Sequence, residues 1–236
     1  MKPTTHKKHR HPAVTERPSV GVEVALFTVL DKDLKVLLIK RTDDPFKGVW
    51  SLPGGLVRVR NSGDQGENLD DAAHRVIWEE AGFTPETCAI EQLHTFGKAG
   101  RDPRSRLISI AWTALLSPDH VRAESPQPDD AVQWFSANEE APWMRLSFDH
   151  AEILDTAVKQ LRKQLDTTHH AFHLVPNPFT VAELRDTHEA IKSRRCDARN
   201  FRRRFQRFVD EGIVAESPGK RHRGKARPAK VWRFLG

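Results

Sequence analysis

Apolar residues in the first two-thirds of the chain fall into short blocks and helical stripes. Residues 20–30 are rich in Val, Leu and Phe, and KVLLIKR at 35–41 follows the polar 31–34 segment. Two such blocks around a turn predict a β-hairpin. WSLPGG at 50–55 predicts a short strand running into a glycine turn, and 61–66 is polar with glycines, a loop. Over 68–81 the apolar positions Leu69, Ala72, Ala73, Val76 and Ile77 share one face of a helix. LISIAWTALL at 107–116 and 132–136 predict further strands. Ser147 is placed to cap a helix running through Leu165, with Ile153, Val158 and Leu161 as its apolar stripe. The pattern is that of a mixed α/β domain over 19–166, then a connector at 167–177 with a short strand at 171–175.

A different pattern begins at Pro178. Thr180 and Glu183 have the spacing of a capping box, and Leu184, His188 and Ile191 lie on one helical face. After a break at 193–196, Asp197 is a helix cap. Phe201, Phe205, Phe208 and Val209 form the buried stripe of that second helix, which Gly212 ends. Two short strands, 213–216 and 229–234, flank the basic, glycine-containing SPGKRHRGKARP. Helix, turn, helix, strand, basic loop, strand is the order of a winged helix.

Charge sharpens this division. Net charge is +6 over 236 residues, but residues 181–236 hold sixteen Lys and Arg against seven Asp and Glu. The first eighteen residues carry a surplus of four positive charges, and three histidines (His6, His9, His11), without hydrophobic periodicity, so 1–18 read as a disordered basic tail. The intervening body is acidic by seven charges. A basic end with its own core predicts a polyanion-binding module. On the second helix Arg199, Asn200, Arg202, Arg203, Gln206 and Arg207 lie largely opposite the phenylalanines, where arginine forks suit guanine edges and phosphates alike. Lys220, Arg221, Arg223, Lys225 and Arg227 populate the wing. Double-stranded DNA is the expected partner. The phenylalanines sit at core spacing and offer no stacking platform for single-stranded RNA.

The remaining composition excludes more than it specifies. No apolar run approaches the roughly 18 residues of a membrane span. Cys88 and Cys196 are far apart and form no CxxC pair. No export signal is seen, and the cytoplasm is the expected compartment.

Residues 55–83 resemble the Nudix box. Gly54-Gly55 follows Pro53, Glu67 precedes Arg75 by eight positions, and Glu79-Glu80-Ala81-Gly82-Phe83 closes the motif. The glycines let backbone approach phosphates closely. Carboxylates at helical i, i+3 and i+4 would hold a divalent cation against a diphosphate. Glu67, Glu79 and Glu80 are the expected metal ligands. Two departures stand out: Val76 replaces the glutamate that follows the arginine, and the spacer from Gly55 to Glu67 holds eleven residues where the family has five. Nucleotide binding is expected to persist and hydrolysis to be lost or weak. DNA binding is expected to need no cofactor, with Mg²⁺ confined to the degenerate box.

A Nudix box followed by a winged helix is similar to the Nudix-related transcriptional regulators of bacteria, the NrtR family. The resemblance extends to HTFGKAGRDPRSR (94–106), FDHAEI (148–153), ARNFRR (198–203) and ARPAKVWRF (226–234). It implies an α+β architecture: an α-β-α Nudix sandwich with a mixed sheet, then a C-terminal winged helix-turn-helix over 178–236. It further implies a homodimeric repressor of NAD biosynthesis or related genes that senses ADP-ribose or another NAD-derived nucleotide and then releases its operator. Carried over to this chain, Lys40, Arg41, Arg101 and Arg104 would meet the effector's phosphates, beside Gly54 and Gly55. Trp50 would stack on its base, and Asp149-His150 would open a helix. The alternative is an active hydrolase of ADP-ribose-type nucleotides with an accessory nucleic-acid-binding domain.

Overall fold

The computed structural model describes residues 17–59, 66–124, 131–139, 145–221 and 228–236. The tail expected over 1–18 falls outside this range as far as residue 16. Among the described residues one mixed sheet holds β1 (Ser19–Leu30), β2 (Asp33–Lys40), β3 (Trp50–Ser51), β4 (Gly54–Leu56), β5 (Cys88–Phe96), β6 (Leu107–Leu116) and β7 (Val132–Ser136). The order is β3-β2-β1-β6-β5, with β4 added to β1 and β7 to β2. Only β1 and β6 run parallel. Every residue of β1 from Gly21 to Thr28 is buried. A strand covered on both faces has no reason to alternate, which is why it reads as one apolar block.

Helix α1 (Leu69–Val76) covers one face, packing Ala72, Ala73 and Val76 against Val22, Val24 and Leu26. It continues into a π-helical turn at Ile77–Ala81, and Gly82 ends it in the left-handed region at φ 75°. Helix α2 (Pro118–Glu124) flanks the same cluster through Val121. Helix α3 (His150–Gln164) covers the other face with Ile153, Leu154, Ala157, Val158 and Leu161.

The winged helix joins this second face. It comprises α4 (Val181–Lys192), α5 (Ala198–Asp210), β8 (Val214–Arg221) and β9 (Ala229–Phe234). Thr180 and Glu183 form the expected capping box, and Asp197 accepts a hydrogen bond from the Asn200 amide. The hydrophobic cluster runs from Ala25 and Phe27 through Phe172 and Leu174 to Leu184, Ile191, Phe201 and Phe205 without a break. The two halves therefore share one core.

Polar contacts lock the same junction. Asn138, just beyond β7, donates to Asp33 at 2.8 Å and to the Ala190 carbonyl at 3.0 Å. Arg162 of α3 donates to the Asn138 side chain at 2.8 Å and to the Ile191 carbonyl at 2.9 Å. The last carbonyls of a helix have no partner within it, so the sheet-and-α3 body completes the end of α4. Asp166 accepts from both Lys192 and Arg204, which hold its carboxyl down at about 2 against the opposing effect of burial.

Several elements depart from the sequence pattern. The hairpin turn is only Asp31-Lys32, both left-handed at φ 51° and 63°, and Asp33 already pairs with Leu30. Ser147 does not cap α3: the cap position is Asp149, and among the described residues the buried Ser147 hydroxyl has no hydrogen-bond partner. The strand expected at 171–175 is a 3-10 helix, His170–Leu174. Its one turn buries Ala171, Phe172 and Leu174 together, which an extended segment would place on opposite sides. Strand β5 was not foreseen, because a bulge between Gln92 and His94 reverses its in–out phase midway. Strand β8 extends past 216 to Arg221 through another irregularity, between Ser217 and Lys220.

Candidate effector cavity and nucleic-acid interface

A cavity of about 660 Å³ opens at the end of the sheet. Its wall draws on β1, the end of β2, β4, the loop between β5 and β6, the π turn and the start of α3. Lys40, Arg41 and Arg104 form a basic rim, while Glu23, Ser51, Arg101 and His150 are buried at its floor. Arg41 and Arg104 both lie over the Phe148 ring, at 4.8 and 5.6 Å from its centre. Burial, then the charge of Arg104, lowers the Arg41 pKa. Two cations forced together over one aromatic ring are a natural receptor for a phosphate chain.

Asp102 already holds Arg104 through two bonds of 3.0 and 2.7 Å, and Arg101 is committed more deeply. Its guanidinium holds Asp149 through two bonds of 2.8 and 2.6 Å and lies 3.6 Å from Glu23. It lines the cavity but has its charge matched from within. Trp50, expected to stack on a base, is not brought to the cavity: its ring packs 4.8 Å from Phe135, with Lys40 over it at 5.9 Å. Gly54 and Gly55 do line the cavity. A Cβ on Gly54 would stand 3.0 Å from the Val22 carbonyl and 3.1 Å from the Glu23 side chain, so this close approach requires glycine.

The acidic box residues separate. Glu67 accepts from Arg75 at 2.9 and 2.6 Å and from the Arg58 amide at 2.7 Å. Those bonds, the arginine's first, lower its pKa, and it does not line the cavity. Glu79 pairs with Arg58 at 2.8 Å and Arg75 at 3.3 Å. Glu79 and Glu80 border the cavity, and burial raises the Glu80 carboxyl. Val76 is fully buried, its methyl 3.7 Å from where a Cβ on Gly55 would sit. Among the described residues no three His, Cys, Asp or Glu side chains lie where one metal ion could take them all. The expected set of Glu67, Glu79 and Glu80 does not form a cage, since arginines take the first two.

Glu23, Ser51, Phe148 and Asp102 were not anticipated as part of the cavity. Glu23 had a signal: it is the one charged residue in the apolar block 20–30. Burial raises its carboxyl to about 7, with Arg101 opposing. His150 is held down at about 3 by burial, and its Nδ1 accepts from the Leu52 amide at 3.0 Å, which leaves the proton on Nε2.

These groups, with His188 between α4 and α5, set a pH dependence. Burial holds His188 at about 3 as well. Each histidine is protonated near 6.5 when unfolded, so stability is lost as pH falls below that value. Glu23 works in the other direction, because the folded chain takes its proton near 7 and the unfolded chain only near 4.5. Between about pH 7.5 and 5 Glu23 offsets about 2 kcal/mol, roughly one histidine, and since burial lowers His173 as well, a net loss remains. His188→Gln is expected to reduce that loss by about 2 kcal/mol in urea unfolding curves taken at the two pH values. A wild type equally stable at both would contradict this balance.

The second site is the outer face of α5. Arg199, Asn200, Arg202, Arg203, Gln206 and Arg207 are all exposed there, while Phe201 and Phe205 are buried. Arg203 donates to Asn200, and Gln206 to Asp210. Arg204 turns inward to Asp166 and the Leu165 carbonyl. Lys220 is exposed in the wing. Arg221 instead ties the base of the wing to Glu183 at 2.7 Å and the Pro178 carbonyl at 2.8 Å. Arg223, Lys225 and Arg227 lie outside the described residues. Among the described residues no helix is long and apolar enough to cross a membrane.

The NUDIX domain family matches residues 20–157, and the NrtR DNA-binding winged helix domain matches 171–234. The ADPR responsive transcriptional repressor NtrR of Acinetobacter baylyi is 32% identical over 217 residues, which cover 92% of this chain and 82% of that protein. The chain belongs to the NrtR family. The crystal structure of Shewanella oneidensis NrtR complexed with a 27mer DNA superimposes with a TM-score of 0.75 and 29% identity, over 91% of this chain and 93% of that one. The NUDIX domain of the same NrtR complexed with ADP ribose is 31% identical with a TM-score of 0.50, over 65% of this chain and 94% of that one. The NrtR architecture, a Nudix body with a mixed sheet and a C-terminal winged helix, is thus the architecture of this chain.

Proposed function

We propose that this chain is a transcriptional repressor that holds operator DNA through α5 and its wing, and releases it when ADP-ribose or a related NAD-derived nucleotide fills the cavity. The observation that carries this reading is the shared core: an outward basic helix is mounted directly on the body that contains a phosphate-suited cavity. The repressor works as a homodimer, so that two α5 helices meet half-sites about one DNA turn apart. Its targets are genes of NAD biosynthesis or a related pathway. Effector and DNA must favour different arrangements of the protein for one to displace the other.

The Nudix body binds and does not turn over its ligand in this reading. Val76 is apolar and buried, Glu67 is taken by Arg75, and Glu79 by two arginines. That donor set does not fit a carboxylate-held Mg²⁺.

The test is fluorescence anisotropy on the DNA upstream of its own operon. Addition of ADP-ribose is expected to release bound DNA, and ADP-ribose incubated with the protein and Mg²⁺ is expected to be recovered intact. Unchanged DNA affinity at saturating ADP-ribose, NAD and sugar nucleotides would sink the sensor reading. Turnover at ordinary Nudix rates would restore the hydrolase.

A further inference from the structure

We infer that Glu23 is a specificity-determining residue of the cavity, its carboxyl accepting a hydrogen bond from a ribose hydroxyl of the bound nucleotide. The inference rests on the reading of this cavity as the effector site.

Glu23 is 6% exposed and lines the cavity; among the described residues its Oε2 is closed off without a hydrogen-bond partner, and it is Oε1 that faces Arg101 and His150. Its Oε1 is 3.6 Å from Arg101 and 3.9 Å from His150 Nε2, both beyond good hydrogen-bond length. An under-satisfied buried carboxyl is costly unless something completes it. Gly54 keeps the space beside it open, since a Cβ there would stand 3.1 Å from the Glu23 side chain.

The chemistry of the missing group follows from the neighbours. His150 Nδ1 accepts from the Leu52 amide, so Nε2 presents a proton. Oε1 and Nε2, 3.9 Å apart, one accepting and one donating, can share a single atom about 2.8 Å from each. That atom must both donate and accept. A hydroxyl does so. An adenine amine would donate to Glu23 but set its own protons against the imidazole N–H. A phosphate would meet a carboxyl on the floor, whereas the rim offers it Arg41 and Arg104. A sugar hydroxyl is therefore the group that fits the floor while the diphosphate lies at the rim. It belongs either to the adenosine ribose or to the terminal ribose.

The experiment is isothermal titration of wild type, Glu23→Ala and Glu23→Gln with ADP-ribose, ADP, ribose 5-phosphate and pyrophosphate. Glu23→Ala is expected to weaken ADP-ribose by about tenfold or more and to leave pyrophosphate unchanged. Glu23→Gln, which keeps an acceptor oxygen, is expected to recover part of the loss. A loss shared by ADP assigns the adenosine ribose; a loss shared by ribose 5-phosphate assigns the terminal one. ADP-ribose binding to Glu23→Ala at wild-type strength overturns the inference. So does an equal loss for pyrophosphate, which has no hydroxyl. A wild type that binds none of the four overturns the effector reading itself, and this assignment with it.

Discussion

Replacing Arg199 and Arg202 together by alanine is expected to weaken operator binding by about 100-fold or more, because each guanidinium at a base edge contributes on the order of 1–3 kcal/mol. The two side chains are exposed on α5 and make no hydrogen bond or ion pair to other described residues. No contact among the described residues depends on them, so the melting temperature should not move. Salt separates their roles. A phosphate contact removed flattens the dependence of log affinity on log salt by about 0.9, whereas a base contact removed relaxes sequence preference and spares that slope. Anisotropy titrations at several salt concentrations check both. A double variant that binds the operator as wild type does would displace α5 as the reading element. Arg204→Ala is the informative contrast: its guanidinium faces Asp166 and the Leu165 carbonyl, so stability should suffer as well as DNA binding.

The second large effect is expected at the cavity floor. Arg101→Ala should lower stability by about 3–5 kcal/mol, the usual consequence of breaking a buried ion pair from one side. The side chain is 2% exposed and neutralises Asp149 through both guanidinium edges. Its loss would leave Asp149 and Glu23 as close acidic neighbours with no counter-charge. For a chain of this size the melting temperature should fall by about 10 °C. Arg101→Lys should recover only part, since a single ammonium cannot reproduce the two-pronged contact. A melting curve for Arg101→Ala that overlays wild type would show that the pair contributes nothing. The same arginine, read from sequence, had looked like a phosphate ligand. The RDPR motif contains two arginines of opposite fate: Arg104 stands 53% exposed at the rim and Arg101 is internal. Sequence spacing alone does not distinguish them, because the discriminating partner, Asp149, lies 48 residues away.

The winged helix was legible because its signals are local. Capping boxes, phenylalanine spacing and a terminal glycine act within one or two turns, and α4 and α5 begin at the residues these predict. The cavity was less legible because it is assembled from seven separate segments. Lys40, Arg41, Arg104 and the two glycines could be placed by motif. Glu23 could have been found from a charge inside an apolar strand, but its meaning depends on His150, which reaches it from the far end of the domain. Trp50 shows the converse error. An aromatic beside a motif invites a ligand role, yet Phe135 on β7 takes its ring, and β7 pairs with the opposite edge of β2. The box helix carries a further distinction that i, i+3, i+4 counting cannot see: its last turn is π-helical, so Glu79 and Glu80 project from a wider turn than Val76 does.

Strand β2 runs, within the Nudix half, from the junction with the winged helix to the cavity. At Asp33 it meets Asn138, which grips the last turn of α4; at Lys40 it forms the rim of the cavity. Eight extended residues make a bar about 23 Å long. It is hydrogen-bonded along β1 and β7, with no loop interrupting it. The instrument that senses the small molecule and the mount that aims α5 are thus opposite tips of a single stiff lever. In the sensor reading, a displacement of the phosphate-facing tip would reach the mount of α5 along this one strand and its Asn138 contact.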